Sequence, residues 1–182
     1  MHIIRLLFLG FWSLTLCGCV TNSPPQNNTQ LAEIDTELAV LDVHQNQAAQ
    51  AKIHLLEATA LAPDDPMVLA GEGFYDLNMH ETAEATSFYN QAIGVAPNNP
   101  EIQNDYGVFL YQTQQFSQAL VYFLKAAYNP DNLYAGDAFE NAGLTELSLG
   151  DSAAAGQDFK SATLQGYTGA DAAPLKSSDD PR

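Results

Sequence analysis

The sequence predicts an all-α fold in which about four helical hairpins stack in a row as a solenoid. Three observations lead to this prediction: small residues recur at a fixed period, a large residue follows each of them at a fixed distance, and prolines mark the ends of repeated units. The reference alanines are separated by 34, 34 and 36 residues; they are Ala51, Ala85, Ala119 and Ala155. A period near 34 residues is typical of helix–turn–helix units that bury a continuous core only by stacking.

Each unit pairs a small residue with a large one, which allows two helices to pack closely. A large residue lies four positions after each reference alanine, and a small residue lies twelve positions before it. This is the tetratricopeptide (TPR) pattern, in which a first helix, A, contacts a second helix, B. The large residues are Leu55, Tyr89, Phe123 and Phe159, and the small residues are Ala39, Gly73, Gly107 and Gly143.

Helix starts are marked by a capping residue followed by proline. Asp65-Pro66 and Asn99-Pro100 place an N-cap side chain before a proline at the first helical position. The TPR domain is therefore predicted over residues 31–169. Its repeats are 32–65, 66–99, 100–135 and 136–169, with a longer loop at 129–136, and residues 170–182 are a predicted disordered tail.

The N-terminus has the features of an export signal. Arg5 is followed by the apolar stretch 6–16, which is short for a membrane-spanning helix. The exit, Leu16-Cys17-Gly18-Cys19, resembles the bacterial lipobox. That resemblance implies a signal peptide over residues 1–18, cleavage before Cys19, and a diacylglycerol and an N-acyl chain on Cys19. An ordinary soluble-export signal with incidental cysteines is the alternative.

The residues that would follow the cleavage site predict a flexible tether and a location in the cell. Residues 19–30 comprise the lipidated cysteine and a flexible linker rich in Asn, Gln, Thr and Pro. Val20, rather than an aspartate, follows Cys19. By resemblance to enterobacterial lipoproteins, this favours the periplasmic face of the outer membrane.

The charge of the chain excludes some partners. The sequence has 22 acidic and 6 basic residues, a net charge of −16, and loss of Arg5 with the signal would leave 22 acids and 5 bases, or −17. Nucleic-acid phosphates and anionic lipids would repel such a chain. The expected partner is a protein with neutral or basic surface.

No catalytic or metal-binding constellation is evident. The histidines His44, His54 and His80 occupy different repeat positions without ligand spacing, and no nucleophile elbow or phosphate loop is present. We therefore predict a protein that is not an enzyme, and that needs no metal, cofactor or small-molecule substrate.

A partner-binding groove is predicted along the A helices, which line the inner surface of TPR arrays. Two of the repeat positions expected to face it, positions 9 and 12, are apolar in all four repeats. Repeat position 5 contributes Asn104. Lys52, Lys125 and Lys160 fall in B helices, which disfavours capture of a terminal carboxylate. An apolar or amphipathic segment with basic flanks is favoured. About half of the apolar residues are expected to be mainly structural, with Phe74, Leu77, Val108 and Tyr111 the main candidates for contact. The predicted groove comprises Val40, Val43, Phe74, Leu77, Asn104, Val108, Tyr111, Leu144 and Leu147.

Two long stretches, 104–130 and 137–162, resemble the type IV pilus biogenesis lipoproteins of the PilF/PilW pilotin family. The resemblance rests on Asn104, Tyr106-Gly107, the loop 129–136 and Glu140 to Gly143, which recur there in this order. It implies an outer-membrane lipoprotein that binds pilus secretin subunits and assists their localisation or multimerisation. Members of the family usually carry more repeats than the four found here. A TPR lipoprotein adaptor that recruits peptidoglycan synthases or hydrolases would share the same repeats and is the alternative.

Overall fold

The structure, a computed structural model, describes residues 26–166, with side chains from residue 28 onward. The predicted signal peptide, Cys17, Cys19 and the C-terminal tail lie outside this range. Within it the chain forms eight helices and no strand, which confirms the all-α prediction. The helices are α1 (Gln26–His44), α2 (Ala48–Leu61), α3 (Pro66–Asn78), α4 (Thr82–Val95), α5 (Pro100–Gln112), α6 (Phe116–Ala127), α7 (Ala135–Leu149) and α8 (Ser152–Leu164).

The eight helices form four hairpins, with helices A being α1, α3, α5 and α7. Each helix A packs against its own helix B, and each helix A also contacts the next one along the chain. The predicted linker was too long at its C-terminal end, because residues 26–30 belong to α1. No described helix is both long and apolar enough to cross a bilayer.

Local sequence accounts for the starts of α3 and α5. Asp65 Oδ1 accepts hydrogen bonds from the backbone N–H groups of Met67 and Val68 at 2.9 and 3.3 Å. Asn99 Oδ1 accepts the equivalent bond from Glu101 at 2.8 Å. Both N-cap predictions are therefore confirmed, and the proline after each cap occupies a position where no backbone N–H is required.

The turn inside every hairpin is the same left-handed turn, which the sequence analysis did not predict. One residue per turn has positive φ, and the N–H of the residue after it bonds back to the last turn of helix A, as Glu81 does to the Asp76 carbonyl at 2.8 Å. This is the Schellman arrangement. In the four hairpin turns, the residues with positive φ are Asn46, His80, Gln114 and Gly150.

A continuous core runs along the first three hairpins and reaches α7. Its largest fully buried side chains include Tyr89, Phe109 and Phe123, and the Tyr89 and Phe109 rings stack with centroids 4.8 Å apart. In the second, third and fourth hairpins, the aromatic residue predicted to pair with helix A sits on the glycine of that helix. A Cβ added to Gly107 would lie 2.6 Å from Cε1 of Phe123, and one added to Gly73 would lie 2.9 Å from Tyr89 Cδ2. The predicted pairing of small and large residues is confirmed.

Replacing Gly107 with alanine is expected to destabilise the protein. Crowding against Phe123 costs about 1–3 kcal/mol, which outweighs the gain of about 1 kcal/mol in helix propensity. Gly156→Ala is the matched control, since an added Cβ there meets nothing within 4 Å, and it should stabilise by about 0.5–1 kcal/mol. Urea unfolding of both variants checks this, and shifts of the same sign would contradict it.

Candidate functional site

The predicted groove residues divide into a buried set and an accessible set. The buried set packs between neighbouring A helices and presents little surface to a partner; it comprises Val40, Val43, Phe74, Asn104 and Val108. The accessible set forms what we call the A-helix ridge: Leu77, Tyr111, Leu144 and Leu147. Four of the eight apolar groove residues are buried, which matches the expectation that about half are mainly structural, but Phe74 and Val108, named as candidates for contact, belong to the core. Partner binding at the ridge remains a prediction.

The buried members of the groove have structural partners in the neighbouring helices. Phe74 packs against the imidazole ring of His44, with ring centroids 5.4 Å apart. Asn104 Oδ1 accepts a hydrogen bond from Nδ2 of Asn141 at 3.0 Å, which joins α5 to α7. A buried amide needs such a partner because its burial is otherwise costly. These contacts explain why Phe74 and Asn104, although predicted to line the groove, are part of the core.

The A-helix ridge lies toward the C-terminal ends of α3, α5 and α7. Leu77 forms part of the wall of an open depression of about 570 Å³, together with His80, Gln112 and Gln114. The hydroxyl of Tyr111 lies 2.8 Å from Oγ of Ser148, which connects α5 to α7. Leu147 is 47% exposed. The ridge thus offers apolar side chains next to polar turn residues.

A second apolar surface, which the sequence analysis missed, lies on α1. Four exposed side chains follow a spacing of three, four and three residues, which places them on one face of the helix. We call this face the α1 stripe; it comprises Leu31, Ile34, Leu38 and Leu41. Acidic residues border it at Asp35, Glu37 and Asp42. The heptad-like spacing was the sequence signal that could have revealed it.

A partly buried ion pair joins the first two repeats. Nζ of Lys52 on α2 lies 2.9 Å from Oε2 of Glu72 on α3, and Oγ1 of Thr59 donates a hydrogen bond to Glu72 Oε1 at 3.1 Å. Lys52 Nζ also lies 5.1 Å from the Tyr75 ring centroid. Partial burial by itself lowers the pKa of Lys52, but the hydrogen bond and charge of Glu72 outweigh this effect and raise it.

Replacing Lys52 with methionine is expected to lower the free energy of unfolding by about 1–3 kcal/mol, because Glu72 would keep its charge without its cationic partner. The larger cost of breaking a fully buried pair is reduced here, since the lysine side chain is 41% exposed. The double variant Lys52→Met, Glu72→Gln should recover much of the loss. Chemical denaturation measures both, and equal stability of the single variant and the wild type would contradict the prediction.

Several carboxyl groups have raised pKa values, and desolvation is the main cause in each. Burial raises the pKa of Glu101, with a further contribution from the charges of Asp105, Glu33 and Glu37. On the last hairpin, burial and then the charge of Asp158 raise the pKa of Glu146. Burial alone raises that of Asp158.

Stability is therefore expected to fall as pH rises through the raised pKa values of these carboxyls, since each holds its proton more tightly in the folded than in the unfolded chain. Their contribution to stability is fully present below the pKa values of the unfolded chain, which are 4.5 for Glu and 3.8 for Asp. Glu146→Gln should stabilise the protein at pH 7 and have little effect near pH 4. Urea midpoints across this range, with exposed Asp64→Asn as control, test it; a variant effect independent of pH would contradict it.

The fold brings one histidine close to two carboxylates, one of which lies on a different helix. Asp35, His54 and Glu57 each offer a ligand atom, and these atoms all lie within 4.8 Å of one another. The residues come from different helices, α1 and α2, so that linear spacing did not reveal the group.

Known proteins are similar to the chain over most of its length. It is 28% identical over 132 residues to an uncharacterized protein of Haemophilus influenzae, a match that covers 72% of this chain and 74% of the relative. It is 24% identical over 154 residues to the type IV pilus assembly protein PilF of Pseudomonas aeruginosa, covering 80% of this chain but 60% of PilF. No protein-family model matches the chain.

Solved structures agree on the fold. The structure of P. aeruginosa PilF matches with a TM-score of 0.69 at 22% identity, covering 76% of this chain and 63% of PilF. PilW, a type IV pilus biogenesis factor, matches with a TM-score of 0.66 at 23% identity, covering 74% and 62%. YrrB, a TPR protein with a peptide-binding site, matches with a TM-score of 0.55 at 19% identity, covering 70% and 64%.

These neighbours share a fold that serves protein–protein interaction rather than catalysis. The chain spans less than two thirds of PilF and of PilW. The chain has the tetratricopeptide fold, and the proteins similar to it in sequence or structure include PilF and PilW, TPR proteins of type IV pilus biogenesis.

Proposed function

We propose that the protein is an outer-membrane-anchored TPR lipoprotein that assists type IV pilus biogenesis by binding secretin subunits and promoting their localisation and multimerisation. The observation that carries this proposal is the likeness of the whole described solenoid to PilF and PilW. The lipobox-like sequence at Cys19 supports the anchor. Because the chain spans only part of these relatives, their complete activity is part of the proposal.

The A-helix ridge is the surface that we propose for the secretin segment. It exposes apolar side chains from three successive A helices, so an extended or helical segment could contact Leu77, Tyr111 and Leu147 together. The acidic excess of the chain favours a segment with basic residues beside its apolar ones. This arrangement needs no pocket, cofactor or nucleophile.

The proposed anchor would hold the first repeat close to the membrane. Six residues separate Cys19 from Gln26, where α1 begins, so the two Cα atoms can lie at most about 25 Å apart. Several acyl chains together bind a bilayer almost permanently, at about 0.8 kcal/mol per buried CH₂. Tethering raises the local concentration of captured subunits beside the membrane, which favours their assembly.

A cellular experiment tests the anchor and the function together. Cys19→Ser should produce a folded protein that no longer fractionates with the outer membrane, and the secretin should become mislocalised or monomeric. Cys17→Ser is the matched control, because serine preserves the small side chain near the predicted cleavage site. Normal secretin multimers in the outer membrane of the Cys19→Ser strain would contradict the proposal.

The alternative function is an adaptor that recruits peptidoglycan synthases or hydrolases. Affinity capture of the membrane-extracted protein, after crosslinking from position 77 in cells, distinguishes the two. Secretin attached at this position supports the first function, whereas a cell-wall enzyme supports the adaptor.

A further inference from the structure

The first hairpin contains a group of metal-ligating side chains with no role in the proposed function. Asp35 and Asp42 lie on α1, and His54 and Glu57 lie on α2. One ligand atom from each of Asp35, His54 and Glu57 lies within 4.8 Å of the other two. Since the imidazole comes from one helix and a carboxylate from the other, the two helices converge on one point.

The two nitrogens of His54 have different surroundings. Nε2 lies 3.7 Å from Oδ2 of Asp42 and 3.3 Å from the side-chain amide of Gln50. Nδ1 lies 3.8 Å from Oε2 of Glu57, which is too far for a hydrogen bond. Nδ1 of His54 and Oδ2 of Asp42 are both buried, and neither has a hydrogen-bond partner among the described residues.

The charges around His54 favour a cation. Three carboxylates surround one imidazole, so the group keeps a net negative charge even when the histidine is protonated. The lysine on the same helix, Lys52, is paired with Glu72 instead. A divalent cation would offset this charge and bind the Nδ1 lone pair at the same time.

We propose that His54 Nδ1 and the carboxylates of Asp35 and Glu57 bind a divalent transition-metal ion of the zinc class. In this state Nε2 carries the proton, and a turn of the Gln50 side-chain amide would present its oxygen to Nε2 as the acceptor. The carboxylate of Asp42, 3.7 Å from Nε2, lies beyond hydrogen-bond distance and would need to approach to orient the ring as an outer carboxylate does for a ligating histidine. An imidazole ligand disfavours Mg²⁺ and Ca²⁺, which take oxygen ligands. Three protein ligands leave a fourth tetrahedral position for water.

The three ligand atoms lie within 4.8 Å of one another, so any pair must approach by at most about 1.4 Å. Ligand atoms about 2.1 Å from zinc in a tetrahedral site lie about 3.4 Å from each other, compared with 3.8 Å between His54 Nδ1 and Glu57 Oε2. The Glu57 side chain is 59% exposed and can therefore change rotamer without repacking the core. The bound ion would link α1 to α2 and stabilise the first hairpin, because it binds the folded and not the unfolded arrangement of ligands.

Calorimetric titration of the full-length chain with ZnCl₂ tests the site. Cys17→Ser and Cys19→Ser are present in every protein tested, because free thiols bind zinc themselves. We expect one saturable site that His54→Gln and Glu57→Gln each weaken at least tenfold. His80→Asn is the control: His80 is an exposed histidine elsewhere in the chain, and asparagine tolerates its positive φ.

A thermal melt gives a second readout. Zinc should raise the melting temperature of the parent protein and of His80→Asn, but not that of Glu57→Gln. Because the Glu57 side chain is 59% exposed, its replacement should not disturb folding, so a missing shift would reflect loss of zinc binding. The absence of saturable zinc binding, binding unchanged by both ligand substitutions, or equally tight binding of MgCl₂ would each overturn the proposal.

Discussion

Replacing Phe123 with alanine is expected to lower the free energy of unfolding by about 3–5 kcal/mol, a large fraction of the stability of a domain of this size. The Phe123 ring is fully buried and lies directly on Gly107. Because the glycine has no side chain to move into the vacated space, α5 and α6 would have to shift to close the cavity. Because the cavity would close incompletely, the loss of stability should lie near the upper end of the range for buried phenylalanine-to-alanine substitutions.

Urea or thermal unfolding measures this effect, with Val121→Ala as the matched control on the same helix. Val121 is 50% exposed, and its replacement should change stability by no more than about 0.5 kcal/mol. A loss in Phe123→Ala as small as in the control would show that α6 is not held to α5 by this ring.

Leu77→Glu is expected to abolish capture of the partner while leaving the helical content intact. Leu77 contributes apolar surface to the A-helix ridge and to the wall of the adjacent depression, and a carboxylate there would have to lose its hydration when an apolar segment binds. Far-ultraviolet circular dichroism checks the fold, and pull-down of the secretin checks capture.

Other variants separate loss of binding from loss of folding. Leu147→Glu alters a more exposed member of the same ridge and should also prevent capture, whereas Val95→Glu, at an exposed position on a helix B, should not. Full capture by both ridge variants would contradict binding at the ridge. Loss of capture only in Leu38→Glu would instead place the partner on the α1 stripe.

Features that depend on residues close in the chain were predictable from the sequence. The N-caps at Asp65 and Asn99 involve backbone groups two or three positions away. The contact between Gly107 and Phe123 recurs in equivalent form in the second and fourth hairpins, because these hairpins repeat the same local geometry. The periodic pattern therefore predicted the four hairpins and their internal packing, although it missed the start of α1 at Gln26.

The sequence by itself determined the repeat type, the caps and the contacts within each hairpin. Only the tertiary structure decided which groove positions remain accessible. Val40 and Leu144 occupy the same repeat position, but Val40 lies in the core, whereas Leu144 is partly exposed. The physical reason is that a helix A is covered by the next helix A, and no further one follows α7 within residues 26–166. The Lys52–Glu72 pair and the group around His54 likewise depend on side chains that different helices bring together.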